Sequence, residues 1–147
     1  MKLRILTSTA IFATFAFLLS TPLCHAEAQP PVKTLNLTEP QERATVAGTV
    51  KRGEHDYYMF EISVSQTLTV GISSTDNNAA FAIYDPGAKF ETAGNQVSLE
   101  GAMEKSASEG DGTIKWAGKL LKPGTYYIAV SSAHETAAYY MTVSLRP

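Results

Sequence analysis

The stretch GTYYIAVSSAHETAAYYMTVSL, residues 124–145, contains two runs in which apolar side chains recur at every second position. A period of two is typical of a strand with one buried face, because neighbouring side chains point to opposite sides. The polar segment SSAHETAA between the runs indicates a loop, so the stretch predicts two adjacent strands joined by a short connection. The inward-facing residues are Tyr126, Ile128 and Val130 in the first run and Tyr139, Met141, Val143 and Leu145 in the second.

The same alternation extends upstream, and Gly, Pro and Asn separate its segments. The further strands are TLNL (34–37), ATVAGTVK (44–51), YYMFEISV (57–64), LTVGIS (68–73), AAFAIY (79–84) and TIKWAGKLL (113–121). No segment shows a sustained helical period of 3.6. Short strands between turn residues predict an all-β protein, an antiparallel β-sandwich of the jelly-roll kind with about eight strands. The expected core residues of these segments are Val46, Val50, Tyr58, Phe60, Ile62, Val64, Leu68, Val70, Ile72, Phe81, Ile83, Ile114 and Trp116.

The chain begins with the features of a secretory signal peptide. Lys2 and Arg4 precede an apolar run over residues 5–20, and Ala26 or Ala28 offers a small residue before a cleavage point. We therefore expect a signal peptide over residues 1–26, a polar lead over 27–33, and one β-sandwich domain over 34–147 with a long loop at 85–112. The mature protein would be periplasmic or secreted.

Cleavage of the signal peptide changes the charge of the protein. Removal of Lys2 and Arg4 lowers Lys+Arg from 12 to 10, while Asp+Glu stays at 14, so the net charge becomes about −4. Mild acidity argues against nucleic acid or an anionic membrane as partner, because both need clustered Lys and Arg. Cys24 leaves with the signal peptide, so no disulfide or thiolate chemistry is expected. The mature chain has no second apolar run long enough to cross a membrane.

The three tyrosine doublets divide into inner and outer residues, since neighbours on a strand face opposite sides. Tyr58, Tyr126 and Tyr139 belong to the core series, which leaves Tyr57, Tyr127 and Tyr140 on the outer face. If their strands were neighbours in one sheet, the outer three would form an aromatic patch suited to a glycan or a flat protein partner. Packing in the core is the simpler interpretation of Trp116.

The sequence lacks the usual catalytic constellations. His55 and His134 are the only histidines after the signal peptide, and alternation of connections along an antiparallel fold predicts that they lie at opposite ends. A zinc site needs three or four ligands, and no Cys remains to supply them. No G-x-S-x-G motif or phosphate-binding glycine loop is present, and the carboxylates of residues 91–111 are interpreted as a solvated loop. We expect no enzyme activity, no cofactor and no metal.

Several segments resemble the bacterial pre-peptidase C-terminal type of β-sandwich. They are YYMFEISV preceded by Asp56, the turn IYDPG, the strand KPGTYYIAV and the closing AYYMTVSL. Within that group the chain is most similar to the periplasmic inhibitors of g-type lysozyme, over roughly residues 35–145 apart from the loop 88–112.

The resemblance implies a mode of action. Loops at one end of the sandwich enter the cleft of the enzyme, with tyrosine and arginine side chains of the last hairpin and nearby loops in contact. The matching loop here is SSAHETAA, which contains Ser132, His134 and Glu135 and no Arg or Lys. A lysozyme cleft carries carboxylates, so His134 could donate charge-assisted hydrogen bonds to it. The same counting of connections places the loops 85–112 and 131–138 at one end.

Three hypotheses follow from the sequence. The first is a periplasmic inhibitor of a lysozyme-like muramidase, with g-type or related lysozyme as protein partner. The second is a binding module for a glycan or a protein with no inhibitory activity. The third is a small secreted hydrolase. The expected partner-binding residues are Ser132, His134, Glu135, Tyr127, Tyr140 and Tyr57.

Overall fold

The computed structural model describes residues 30–37 and 42–147. The predicted signal peptide and its cleavage site lie outside these residues. None of the described residues belongs to a helix with the length and apolar content that a membrane crossing requires. The strands are β1 Val32–Thr34, β2 Arg43–Lys51, β3 His55–Ile62, β4 Gln66–Ser74, β5 Ala79–Tyr84, β6 Lys89–Ala93, β7 Gln96–Glu100, β8 Lys115–Leu120, β9 Gly124–Ser132 and β10 Thr136–Arg146.

Two four-stranded sheets form the sandwich. Sheet A has the order β1-β3-β9-β5, and sheet B has the order β2-β10-β4-β8. All pairings within them are antiparallel except that of β1 with β3. The prediction of an all-β antiparallel sandwich is thus confirmed. The described strands number ten instead of about eight because the loop 85–112 contains a separate hairpin of β6 and β7. The first strand, β1, begins two residues before the predicted one.

The core lies between the two sheets, as the period-two pattern requires. Tyr58, Tyr126 and Tyr139 are buried in it, as predicted. Val64 is an exception with 63% exposure, because β3 ends at Ile62. Ile114 also departs from the prediction, since it precedes β8 and remains 43% exposed.

The last two strands do not pair with each other. β9 belongs to sheet A and β10 to sheet B, so residues 133–135 connect the two layers of the sandwich. The prediction of an adjacent strand pair was wrong, because period two shows which side chains are buried but not which strand lies alongside. Tyr126 and Tyr139 nevertheless share the core, since their sheets face each other across it.

The connection from β5 to β8 runs the whole length of the sandwich. Its first part is the β6–β7 hairpin, which covers the outer face of sheet A. Its second part, which we call the edge segment (residues 102–114), runs along the free edge of β5, from the end of that strand towards its start. Backbone hydrogen bonds join Asp85 N to Ala102 O, Ile83 N to Ala107 O and Phe81 N to Thr113 O. Trp116 packs partly buried against the core and donates from Nε1 to Lys105 O at 3.0 Å.

This full-length connection changes which loops share an end. His55 pairs in register with Ser131, so His55 and His134 lie at the same end of the sandwich, and the prediction of opposite ends was wrong. The prediction placed successive connections at alternate ends of the sandwich, and it assumed that the loop 85–112 starts and finishes at the same end. It starts at the opposite end, where Asp85 contacts Lys122, and only its last part reaches the end of residues 131–138.

Candidate partner-binding site

Three connections converge at the end that carries both histidines, and together we call them the loop rim. They are the turn 52–54 between β2 and β3, residues 75–78 after β4, and the loop 133–135 between β9 and β10. Strand register brings them together, because Lys51 pairs with Thr136 and Ala79 pairs with Ser132. The rim therefore combines loops from both sheets on one rigid support.

Asn78 fixes the loop 133–135. Its Oδ1 accepts a hydrogen bond from His134 N at 2.7 Å, and its Nδ2 donates to His134 O. The same carbonyl oxygen accepts from Ser132 Oγ at 2.7 Å, while Ala133 N donates to Asn78 O at 3.0 Å. The backbone of His134 is thereby held on both sides, and its side chain remains exposed.

Arg52 supplies the basic side chain that the loop 133–135 lacks. Its backbone N–H donates to Glu135 O, which ties the two connections together. An open polar depression of about 500 Å³ lies between the rim connections. Its lining consists of Arg52, Asp76, Asn78, His134, Glu135 and Thr136. Sequence reasoning missed Arg52 because the basic residue and the loop come together only through the pairing of β2 with β10. The turn KRGE was the available signal.

A second polar cluster lies beside the rim. Glu109 Oε1 accepts a hydrogen bond from Tyr84 OH at 2.6 Å and lies 3.7 Å from His55 Nε2. Burial, followed by the hydrogen bond to Glu109, raises the pKa of Tyr84. His55 and Glu109 border a shallow pocket of about 180 Å³. Within the described residues, no group of His, Cys, Asp and Glu could hold a metal ion.

The structure separates the outer tyrosines. Tyr57 is only 3% exposed, because the β6–β7 hairpin covers it and places Phe90 at a ring-centroid distance of 5.0 Å. Tyr127 is half-buried against the same Phe90, at 5.7 Å. Tyr140 lies on β10 in the other sheet, with 67% exposure. The three side chains share outer-facing parity but do not form one surface.

The predicted loop residues have different roles in the geometry. Ser132 is buried at 9% exposure and positions the loop through its hydrogen bond to His134 O. His134 and Glu135 are exposed and available for contact. Glu135 holds a left-handed backbone conformation with φ of 39°, which turns the chain sharply at the tip. Of the residues predicted from sequence, the structure brings these three together at the rim.

The fold matches that of solved inhibitor structures. The PliG of Aeromonas hydrophila, titled a periplasmic lysozyme inhibitor of g-type lysozyme, aligns with a TM-score of 0.58 and 23% identity, covering 78% of this chain and 96% of that chain. The PliG of Salmonella Typhimurium, with the same description, aligns with a TM-score of 0.54 and 18% identity, covering 80% and 100%. The pre-peptidase C-terminal domain of a Bacillus anthracis collagenase aligns with a TM-score of 0.48 and 16% identity, covering 81% and 99%.

The two PliG matches confirm, at the level of the fold, the likeness predicted from the sequence. No family model matches the sequence, and neither does any curated protein. The described sandwich therefore shares its fold with the two PliG structures.

Proposed function

We propose that this protein is a periplasmic inhibitor of a lysozyme-like muramidase and that its loop rim blocks the cleft of the enzyme. The observation that carries the proposal is the placement of Arg52 and His134 around one exposed depression at the end of the sandwich. The fold adds support, because nearly the full length of two periplasmic inhibitors of g-type lysozyme aligns with this chain. Those neighbours are inhibitors and not enzymes.

The chemistry of the rim suits a cleft that contains carboxylates. The guanidinium of Arg52 can make two parallel hydrogen bonds to one carboxylate, and the imidazole of His134 can donate a further one. Both side chains are exposed, while their backbones are tied to neighbouring loops. Binding would therefore cost less conformational entropy of the loop backbone than binding through a flexible loop would.

The test is an inhibition assay with the purified mature protein and g-type lysozyme acting on peptidoglycan. Arg52→Gln and His134→Ala should each weaken inhibition by roughly tenfold, because a charge-assisted hydrogen bond contributes about 1.5–3 kcal/mol. Lys119→Gln is the matched control, because Lys119 is exposed at the opposite end of the sandwich, and it should inhibit like the natural protein. Full inhibition by both rim variants would contradict the mechanism.

Acidic side chains at the rim allow a test in the opposite direction. Asp76 and Glu135 line the same depression as the basic residues and would face the carboxylates of the cleft. Glu135→Gln removes one repulsive charge, so we expect it to inhibit several-fold more strongly than the natural protein. Weaker inhibition by this variant would place the rim against a basic surface instead.

Two other results would replace the proposal. Retention on insoluble peptidoglycan, without inhibition of g-, c- or i-type lysozymes, would identify a binding module that does not inhibit. Slow hydrolysis that is lost on substitution of a carboxylate would identify an enzyme.

A further inference from the structure

The outer face of sheet B carries only small, hydroxylic and basic side chains apart from one tyrosine. We call it the basic face, and its residues alternate with the core residues of β2, β4, β8 and β10. Its small and hydroxylic members are Thr45, Ala47, Thr49, Thr67, Thr69, Gly71, Ser73, Ala117, Thr136, Ala138, Thr142 and Ser144. Its basic members are Arg43, Lys51, Lys115, Lys119 and Arg146.

The charge of this face is opposite to that of the whole protein. Within the described residues, none of the positions on the face is Asp or Glu, and none of its five basic side chains belongs to an ion pair. The complete chain nevertheless carries a net charge of −2. Acidic residues such as Glu91, Glu100 and Glu109 lie in the connection over sheet A, so the sandwich has one basic and one acidic side.

Among the described residues, Tyr140 is the only aromatic side chain on the basic face. It is 67% exposed, and its partners in register are Ala47 on β2 and Ser73 on β4. Gly71 lies one row further along, and nothing lies within 4 Å of the position that a Cβ would occupy there. The tyrosine ring therefore stands beside a low, open strip, and Ile114, 43% exposed, lines the same shallow depression of the face.

The dimensions of the face suit an extended chain. Eight strand rises separate Arg43 from Lys51 on β2, which corresponds to roughly 27 Å. Basic residues lie at both ends of this length and along β8, while hydroxyl groups occupy the rows between them. A small anion would contact only one of these charges, whereas a linear polyanion would contact several.

We propose that the basic face binds an anionic polysaccharide. The lysine and arginine side chains neutralise its acidic groups, the threonine and serine hydroxyls bond its hydroxyls, and the ring of Tyr140 stacks on a sugar. The inference rests on charged residues other than those of the loop rim, because the basic face covers the broad side of sheet B and shares only Thr136 with the lining of the rim depression.

Other anionic partners fit the face less well. Adsorption to a membrane depends on apolar side chains that insert between lipids, and within the described residues the face offers Tyr140, with the partly exposed Ile114 at its margin. Nucleic acids carry a dense charge, and proteins that bind single strands stack successive bases on several aromatic side chains, whereas Tyr140 stands alone among the described residues of the face. A glycan with acidic groups at intervals matches five separated cations better.

The test compares dextran sulfate with uncharged dextran, which share one backbone and differ in charge. The purified mature protein should bind dextran sulfate with an affinity that falls as salt rises and should not bind dextran. Joint replacement of Lys115→Gln and Lys119→Gln should weaken binding by roughly tenfold at low salt. Tyr140→Ala should weaken it several-fold, and Tyr140→Phe should retain it, since a phenyl ring still stacks.

Control variants test whether dextran sulfate binds at the basic face and whether the altered proteins are folded. Lys89→Gln, on the hairpin over sheet A, should bind like the natural protein. The altered side chains are exposed, so unchanged urea midpoints will show that the variants are folded. The inference is overturned if dextran sulfate does not bind, if the Lys115/Lys119 variant binds normally, or if Tyr140→Ala has no effect. Tighter binding to oligo(dT) or to phosphatidylglycerol vesicles would overturn it in favour of a nucleic acid or a membrane.

Discussion

The partly buried carboxylate of Asp56 organises a polar network at the margin of the core. Tyr139 OH donates to Asp56 Oδ2 at 2.5 Å and lies 2.7 Å from Tyr58 OH. Lys33 Nζ approaches the same carboxylate oxygen to 3.7 Å. Burial, followed by the hydrogen bond to Asp56, raises the pKa of Tyr139, so its hydroxyl stays protonated. The Asp that precedes the tyrosine strand therefore has a packing role, which the sequence motif alone did not reveal.

Gly48 leaves the space that this network occupies. A Cβ at Gly48 would lie within 2.6 Å of Tyr139 Cζ and 2.9 Å of Asp56 Oδ2. We expect Gly48→Ala to lower the free energy of unfolding by about 1–3 kcal/mol, because the added methyl group must displace a hydrogen-bonded ring. Urea denaturation measures this change.

Gly71 provides the matched control for Gly48. It lies on β4 in the same sheet, with open space where a Cβ would stand. Gly71→Ala should be neutral or stabilising by up to about 1 kcal/mol. An equal loss of stability in both variants would show that strand propensity, and not contact with Tyr139, controls the effect.

At the scale of elements, the β6–β7 hairpin acts as a cover for sheet A. Phe90 contacts both Tyr57 and Tyr127 edge-on, and Leu99 is buried at 3% exposure beside them. The cover explains why Tyr57 and Tyr127 are shielded from water although their positions on the strands place them on the outer face of the sheet. The alternation of β3 identified the correct face, but whether water reaches that face depends on a distant hairpin whose own sequence shows weak alternation.

The hairpin should open when its aromatic anchor is removed. Phe90→Ala is expected to cost about 1–3 kcal/mol, less than the 3–5 kcal/mol of a fully buried phenylalanine, because Phe90 is half-buried. Native-state hydrogen exchange should show faster exchange of the β6 and β7 amides than in the natural protein, with β9 less affected. Thr92→Ala, exposed on the same hairpin, is the control and should leave these rates unchanged. Uniform acceleration across the sandwich would contradict the cover role.

The edge segment carries a pH-dependent contact. Asp85 Oδ2 accepts from Lys122 Nζ at 2.7 Å, while its buried Oδ1 has no partner among the described side chains. Burial, and then the neighbouring carboxylate of Asp85, raise the pKa of Glu104 above its usual range. The native state therefore binds the Glu104 proton more tightly than the unfolded state does. This contribution to stability is complete below the unfolded pKa and is lost as pH rises through the folded pKa.

We expect Glu104→Gln to remove this loss of stability at higher pH. Glutamine keeps a donor toward Asp85 at every pH, so the variant should gain stability relative to the natural protein between pH 4 and pH 7. Urea unfolding at both pH values measures the gain. In an Asp85→Asn background the pH dependence of the gain should shrink, because the charge that acts on Glu104 is absent. A constant difference between the two proteins at all pH values would rule out the contact.

At the scale of the whole molecule, the sequence predicts the layers better than the arrangement of the loops. The alternation of Tyr58, Phe60 and Ile62 identifies a buried face because sheet geometry is local. The position of Arg52 beside His134 depends on β2 pairing with β10, a contact between residues far apart in the chain. Because the connection from β5 to β8 starts at one end of the sandwich and finishes at the other, each later loop lies at the end opposite to the predicted one. The basic face was hidden for a related reason, since net charge does not report where charges lie.

The two proposed surfaces should act separately. Lys119 lies on β8 beside Thr67, at the end of the sandwich away from the rim. Arg52→Gln should reduce inhibition of lysozyme and leave binding of dextran sulfate intact, and Lys119→Gln should do the reverse. Both assays on both variants form a complete comparison. Parallel losses in the two assays would indicate one shared surface.

The edge segment also has a consequence for how the protein behaves in concentrated solution. By accepting the N–H groups of Phe81, Ile83 and Asp85, it occupies the only long open side of sheet A within the described residues, since β1 spans three residues at the other side. The strand behind it, AAFAIY, is uncharged and apolar, which is the composition that templates intermolecular β-pairing. We therefore expect a protease cut within this glycine-containing loop to uncover the edge of β5 and to make pairing between molecules easier.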